Sequence, residues 1–287
     1  MSFFLEGEKH LFIPSVAEVD YQVYPVRVEI APNEGVFDSR AAQIIVDLIQ
    51  RKPDASLFLS TGTTPENKLD LLKNAVLYGL IDISWITTFN QDEYWRIDPN
   101  HPGSYRSYMV NRLFWDSQVR WHIPKGDAED PLKEAKRYEE LIRDFVKTHG
   151  PIDLAVLGAG PSGAKFLHLG FNEPGRESTR QSVTRLVNLD EKTIGVNREI
   201  FKRLEQESGW TGETAFPTQA ITVGIGTVLD NSQNVLVMLK GKGKADGAYN
   251  MLFRPLGPEN PAGWIRTHPG VTVLLDENAA SLVKPRL

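Results

Sequence analysis

Ser56-Leu57-Phe58-Leu59-Ser60-Thr61-Gly62-Thr63-Thr64-Pro65 changes character halfway along. Its first half is a short apolar run without polar alternation, the pattern of a strand covered on both faces. Its second half is one glycine and three threonines, closed by a proline that suits a first helical turn because its missing N–H is not needed there. A strand-to-helix turn of this composition presents backbone N–H and hydroxyl donors to an anion, and the following helix adds the partial positive charge of its N-terminus. The plainer reading is a capped helix start. No Gly-Lys-Ser/Thr follows, so the turn is not a Walker loop.

Working outward, the same grammar repeats. Strands are expected at Ser56–Ser60, Trp85–Phe89, Ile152–Leu157, Ala220–Gly224, Val235–Leu239 and Val271–Leu275, all short and rich in Val, Ile and Leu. Between them lie helical patterns. Asp38 is placed to cap a helix through Arg51, whose Ile44, Ile45, Leu48 and Ile49 recur at helical spacing. Further helices are expected after Pro65, over Pro131–Thr148 and after Gly243. Strand–helix alternation predicts an α/β fold, a Rossmann-like, doubly wound and mostly parallel sheet with helices on both faces. In such a sheet the ligand site lies beyond the carboxyl ends of the strands.

The bulk numbers fit a globular chain in which one large α/β domain is as plausible as two. The chain has 287 residues, 41% hydrophobic and 24% charged, enough for a full core. A net charge of −5 gives no global pull toward nucleic acid or anionic lipid, so an anionic substrate needs a local trap. With no cysteine, thiolate metal sites, disulfides and cysteine nucleophiles are excluded, which fits a reducing cytoplasmic setting. Met1-Ser2-Phe3-Phe4-Leu5 turns charged at Glu6, Glu8 and Lys9, unlike a signal peptide, and no apolar stretch approaches membrane length.

Two adjacent acids follow the second of these strands, in Asn90-Gln91-Asp92-Glu93-Tyr94. At the mouth of a parallel sheet one of them can face the cavity while the other turns outward. A carboxylate there, with a tuned pKa, can take a proton from a carbon next to a carbonyl; a polar loop or helix cap is the structural alternative. His101-Pro102-Gly103-Ser104-Tyr105 then reads as a turn opening an amphipathic helix. Lys244, at another strand-to-helix turn, is a second phosphate candidate set against an ordinary solvated lysine.

Thr61–Pro65, Phe89–Tyr94, His101–Tyr105, Gly170-Phe171-Asn172-Glu173-Pro174-Gly175, and Thr222–Thr227 followed by Lys244-Ala245 stand in an order and spacing that resemble the glucosamine-6-phosphate deaminase/isomerase family, within the wider group that includes 6-phosphogluconolactonases. The resemblance covers about residues 25–285 and implies one sugar-phosphate isomerase domain over 25–287. Residues 1–24 form an extension that matches nothing. It implies conversion of an amino-sugar 6-phosphate to fructose 6-phosphate and ammonia, with no metal and no organic cofactor. By the resemblance, Asp92 is the base that moves a proton from C2 to C1 through an enediol-type intermediate. Thr61, Gly62, Thr63, Thr64 and Lys244 hold the phosphate, with Arg198 a further contact. His168 opens the sugar ring and Glu173 orients or tunes it. The implied partner is a small sugar phosphate, with no nucleic acid or membrane; homo-oligomers occur among such proteins.

One segment departs from the family pattern. Family members carry an Asp-Gly-His triplet leading into the Phe-Asn-Glu-Pro segment. Here Gly158-Ala159-Gly160-Pro161-Ser162-Gly163-Ala164-Lys165-Phe166-Leu167-His168 keeps the histidine five residues before Glu173 but has Phe166 in the aspartate's place. Aligned from the glycines, Ser162 replaces the aspartate and Ala164 the histidine. Either way the acid is missing, which leaves an imidazole with a less fixed tautomer and a less stabilised cation. Three readings follow: a hexosamine-6-phosphate deaminase/isomerase, a 6-phosphogluconolactonase-type hydrolase needing no C2 base, and a sugar-phosphate binder without catalysis.

Overall fold

The computed structural model describes residues 9–11, 21–61, 66–114, 119–175, 177–212 and 215–287. In chain order the strands are β1 (Lys9–Leu11), β2 (Val26–Ala31), β3 (Ser56–Leu59), β4 (Thr87–Asn90), β5 (Asp92–Tyr94), β6 (Arg120–His122), β7 (Leu154–Gly160), β8 (His168–Leu169), β9 (Arg185–Asn188), β10 (Gln219–Thr222), β11 (Val235–Leu239) and β12 (Val271–Asp276). The helices are α1 (Glu34–Arg51), α2 (Glu66–Leu77), α3 (Tyr105–Met109), α4 (Pro131–His149), α5 (Glu191–Ser208), α6 (Ile225–Asn231) and α7 (Ala245–Phe253). A π-helical turn, Val110–Phe114, continues α3, and short 3₁₀ turns include Lys242–Lys244.

The main sheet runs β1-β2-β12-β11-β7-β3-β4-β6, with β8 paired to the end of β7. All contacts from β2 to β6 are parallel; β1 and β8 join antiparallel. The central parallel strands β3 and β11 are buried on both faces, which is why they read as unbroken apolar runs, whereas the outer strands β2 and β6 carry charged residues. Alternate residues feed two cores. Ala155, Leu157, Val235, Val237 and Val273 pack with Tyr138 and Ile142 of α4 and Met251 of α7. Leu154, Val156, Leu236 and Met238 pack with Phe37 and Ile45 of α1 and Leu69 of α2. The doubly wound α/β fold is therefore present.

Three expectations are corrected. The helix through Arg51 starts at Glu34 and is capped by Asn33, whose side chain accepts from Val36 N–H at 2.9 Å. Asp38 lies inside that helix, buried, and holds Lys240 at 3.0 Å. The Trp85–Phe89 strand begins at Thr87, because Trp85 is 60% exposed and outside the sheet. The Ala220–Gly224 run is not a main-sheet strand. As β10 it is the centre of a separate antiparallel sheet, β5-β10-β9. That sheet and α5 carry a third core around Tyr94, Phe171, Val187 and Phe201. Within the first 24 residues, Lys9–Leu11 form the edge strand on β2 and Tyr24 N–H donates to Arg266 O at 2.8 Å.

Candidate active site

The two sheets meet at the carboxyl end of β4. Gln91 bridges them, its N–H donating to Leu59 O at 3.0 Å and its carbonyl accepting from Val223 N–H at 2.8 Å. The next residue, Asp92, starts β5 directly opposite Thr222 of β10. Asp92 is buried, and its Oδ1 accepts from the Thr222 hydroxyl and from Phe171 N–H at 3.3 Å. Among the described residues Oδ2 holds no hydrogen bond, which leaves it the oxygen available to react. Burial pushes the Asp92 carboxyl up to about 7, against the pull of Thr222 and Phe171.

Its neighbour does not turn outward, as the sequence suggested. Glu93 is buried too, and strand alternation sends it to the opposite face. There it accepts from Ser104 Oγ at 2.8 Å and from the N–H groups of Tyr105 and Arg106 at 3.1 and 2.9 Å. Those are donors that the start of α3 leaves unpaired, so Glu93 is a helix cap. Burial, opposed by these bonds, brings its pKa to about 7 as well. Of the adjacent acids, only Asp92 faces the site.

Gly170 is the hub of the site. Its φ of +56° is left-handed, and an added Cβ would stand 2.6 Å from Asp92 Oδ1 and 2.9 Å from Oδ2. Only a residue without a side chain lets the backbone come this close. The Gly170 carbonyl accepts from His168 Nδ1. A carbonyl cannot donate, so Nδ1 carries the proton and Nε2 is a bare acceptor. Nε2 is buried and without a partner among the described residues. Burial lowers the His168 pKa to about 4; the Gly170 bond and Asp190 oppose this, and the Lys244 charge adds to it. The ring is thus neutral at physiological pH.

Lys244, in the turn after β11, is 7% exposed, which removes the solvated-lysine reading. Its Nζ donates to Ala159 O at the end of β7, at 2.6 Å, and burial lowers its pKa to about 8. No carboxylate pairs with it among the described residues. A buried cation without a counter-ion is costly unless an anion arrives.

The other expected groups are distributed less tightly. Thr61 is half-buried at the end of β3; Gly62, Thr63 and Thr64 lie outside the described residues. Glu173 shares no hydrogen bond with His168. Its Oε2 accepts from Asp190 N–H at 2.8 Å, at the start of α5, and burial raises its pKa against Thr193 and that N–H. Arg198 is exposed on α5 with its guanidinium 5.4 Å from the Phe216 ring.

Sequence reading assigned no role to Gly170, Phe171 N–H, Thr222 or Asn172. Asn172, fully buried, donates to Leu169 O and Val223 O at 2.8 and 2.9 Å and accepts from Arg185 at 2.8 Å, fixing the Gly170 turn to β10. All but Asn172's arginine lie inside the quoted motifs, so the signal was their position, not their chemistry. Among the described residues, no group of three or more His, Asp or Glu side chains is spaced to hold a metal ion, and no helix is long and apolar enough to cross a membrane. The arrangement pairs a carboxylate that titrates near neutrality with a neutral imidazole acceptor and an unpaired buried cation. Such a set can abstract a proton from carbon, relay a proton between oxygens and anchor an anion.

The chain is similar to known proteins over most of its length. The model of the family described as glucosamine-6-phosphate isomerases/6-phosphogluconolactonase matches residues 36–164. A glucosamine-6-phosphate deaminase of Rhodopirellula baltica is 39% identical over 264 residues, 91% of this chain and 97% of that protein. Glucosamine-6-phosphate deaminase 2 of Bacillus subtilis is 38% identical, covering 90% of this chain and 98% of its own. A solved monomeric glucosamine-6-phosphate deaminase superposes with a TM-score of 0.77 at 35% identity, over 89% of this chain and 99% of that one. The 6-phosphogluconolactonase of Trypanosoma cruzi shares the fold at a TM-score of 0.69 and 15% identity, over 92% and 98% of the two chains.

Proposed function

This chain belongs to the family of glucosamine-6-phosphate isomerases and 6-phosphogluconolactonases, and from that premise we propose that it is a hexosamine-6-phosphate deaminase/isomerase. Its substrate is glucosamine 6-phosphate or an epimer, and its products are the ketose 6-phosphate and ammonia. The observation that carries the reading is Asp92, a buried carboxylate raised to about 7 with one oxygen held and the other free. A lactonase needs no such carbon base. The deaminase relatives match at 35–39% identity across nearly the whole chain, whereas likeness to the lactonases is one of fold.

His168 Nε2, unprotonated, takes the proton of the C1 hydroxyl and returns one to the ring oxygen, opening the sugar to its aldehyde. Asp92 Oδ2 then removes the C2 proton. The electrons form a C1–C2 enolamine as the C1 oxygen takes a proton from the C2 ammonium, and Asp92 delivers the proton it took from C2 to C1. The nitrogen at C2 becomes an imine, which one water hydrolyses to the ketone with release of ammonia. Protein side chains alone serve as acid and base, with no metal assigned. Lys244, with Thr61, Gly62, Thr63 and Thr64, holds the phosphate, whose binding energy orients carbons remote from it. Glu173 supports the start of α5, and Arg198 on that helix is the further phosphate contact.

The test is release of ammonia and fructose 6-phosphate from glucosamine 6-phosphate. Asp92→Asn keeps the shape but cannot accept the proton. Turnover is expected to fall by about 10³-fold or more with sugar-phosphate binding retained. Loss of binding in equal measure would make Asp92 a structural residue and refute the assignment.

A further inference from the structure

We infer that Gln91 is a specificity-determining residue whose carboxamide grips the sugar oxygen on a carbon flanking C2; this rests on the deaminase/isomerase reading. Its backbone is fully used, as described, between Leu59 and Val223. Its side chain is not. Gln91 is 1% exposed, and among the described residues neither Oε1 nor Nε2 has a hydrogen-bond partner. A carboxamide offers an acceptor and two donors, and sealing it off unpaired forfeits its hydration at both ends. Native structures keep very few such groups, and each calls for a reason.

The reason is where the amide sits. The Cβ position of Gly170 is 2.9 Å from Gln91 Cδ, 2.6 Å from Asp92 Oδ1 and 2.9 Å from Oδ2. The carboxamide and the catalytic carboxylate therefore crowd the same face of one glycine, whose carbonyl holds His168. Among the described residues of this cluster Asp92 Oδ1 is satisfied, while His168 Nε2 and both ends of Gln91 are not. Asn90 likewise has an amide without a partner among the described residues, but no contact ties its side chain to Gly170. The ligand group that answers both ends of Gln91 is neutral and both donates and accepts, which is a sugar hydroxyl. It is not the phosphate, which is met by Lys244 beside Ala159.

A leucine or methionine would fill this space without either unmet bond, so a role confined to packing would favour them. Gln91→Leu and Gln91→Met are therefore measured twice, for kcat/KM with glucosamine 6-phosphate and for Tm. The inference expects kcat/KM to fall about 10–100-fold in both while Tm is unchanged or raised. Unchanged kcat/KM with a raised Tm would overturn it, leaving the amide a packing defect; a joint fall of Tm and activity in both variants would overturn it in favour of a structural role. If the wild type turns over no hexosamine 6-phosphate, the underlying reading fails separately. Calorimetric binding of glucosamine 6-phosphate then decides, at least tenfold weaker in Gln91→Leu if the inference holds and equal to wild type if it does not.

Discussion

Thr222→Val isolates the bond that sets the base. Thr222 is fully buried, and its hydroxyl donates to Asp92 Oδ1 across a pair of strands in register. Valine keeps the branched shape and the strand preference but removes the donor. A hydrogen bond to a charged group is worth about 1.5–3 kcal/mol, equivalent to about 1–2 pKa units. Phe171 N–H remains, so the carboxylate keeps one donor at 3.3 Å. Without Thr222 the Asp92 pKa moves from about 7 to roughly 8–9. At pH 7 the ionised fraction then drops from about half to roughly 1–10%, a loss of about 5–50-fold in kcat/KM. The deficit closes as pH approaches 10, because the ionised form is still the base. The assay is the pH profile of kcat/KM for wild type, Thr222→Val and Thr222→Ser, the serine restoring the wild-type acid limb. An acid limb that stays near 7 in the valine variant, or a deficit constant across pH, would refute the argument.

Other outcomes follow from the same geometry. Lys244→Ala removes the unpaired buried cation and raises KM for the phosphorylated sugar about 10–100-fold; an unchanged KM sinks the phosphate assignment. Gly170→Ala puts a methyl group against both Asp92 oxygens at a φ of +56°, so thermal stability falls by about 1–3 kcal/mol and activity with it. A wild-type-like Tm would mean the turn relaxes freely. His168, depressed to about 4, resists protonation in the fold but not in the unfolded chain. Its contribution is present above pH 6.5 and lost as pH falls through 4. The stability difference between wild type and His168→Gln should therefore change by about 3 kcal/mol between pH 7 and pH 4 in denaturant titrations. A difference flat with pH would show that the imidazole is not buried as described.

What the sequence determined by itself was local and periodic. Apolar runs such as Ser56–Leu59, Val235–Leu239 and Val271–Asp276 announce buried parallel strands because both faces must be covered, and α4 is announced by its Pro131 start and spacing. The motif order marked the carboxyl ends of these strands as the site and Asp92, His168 and Lys244 as its chemistry. Tertiary structure alone decided the rest, because it turns on pairings that no local pattern encodes. An apolar run at Ala220 fits either sheet, and only packing against Tyr94 and Val187 puts it in the antiparallel one. Asn33 and Asp38 are both good helix caps; burial of Phe37 fixed the phase that leaves Asp38 inside. Asp92 and Glu93 are chemically alike in sequence, and the alternation of one short strand set one carboxylate against Thr222 and Gly170 and made the other a helix cap. Thr222 reaches Asp92 across 130 residues of chain, and Lys244 reaches Ala159 across 85. Desolvation, which moves these groups toward neutral pH, exists only once the chain has closed around them.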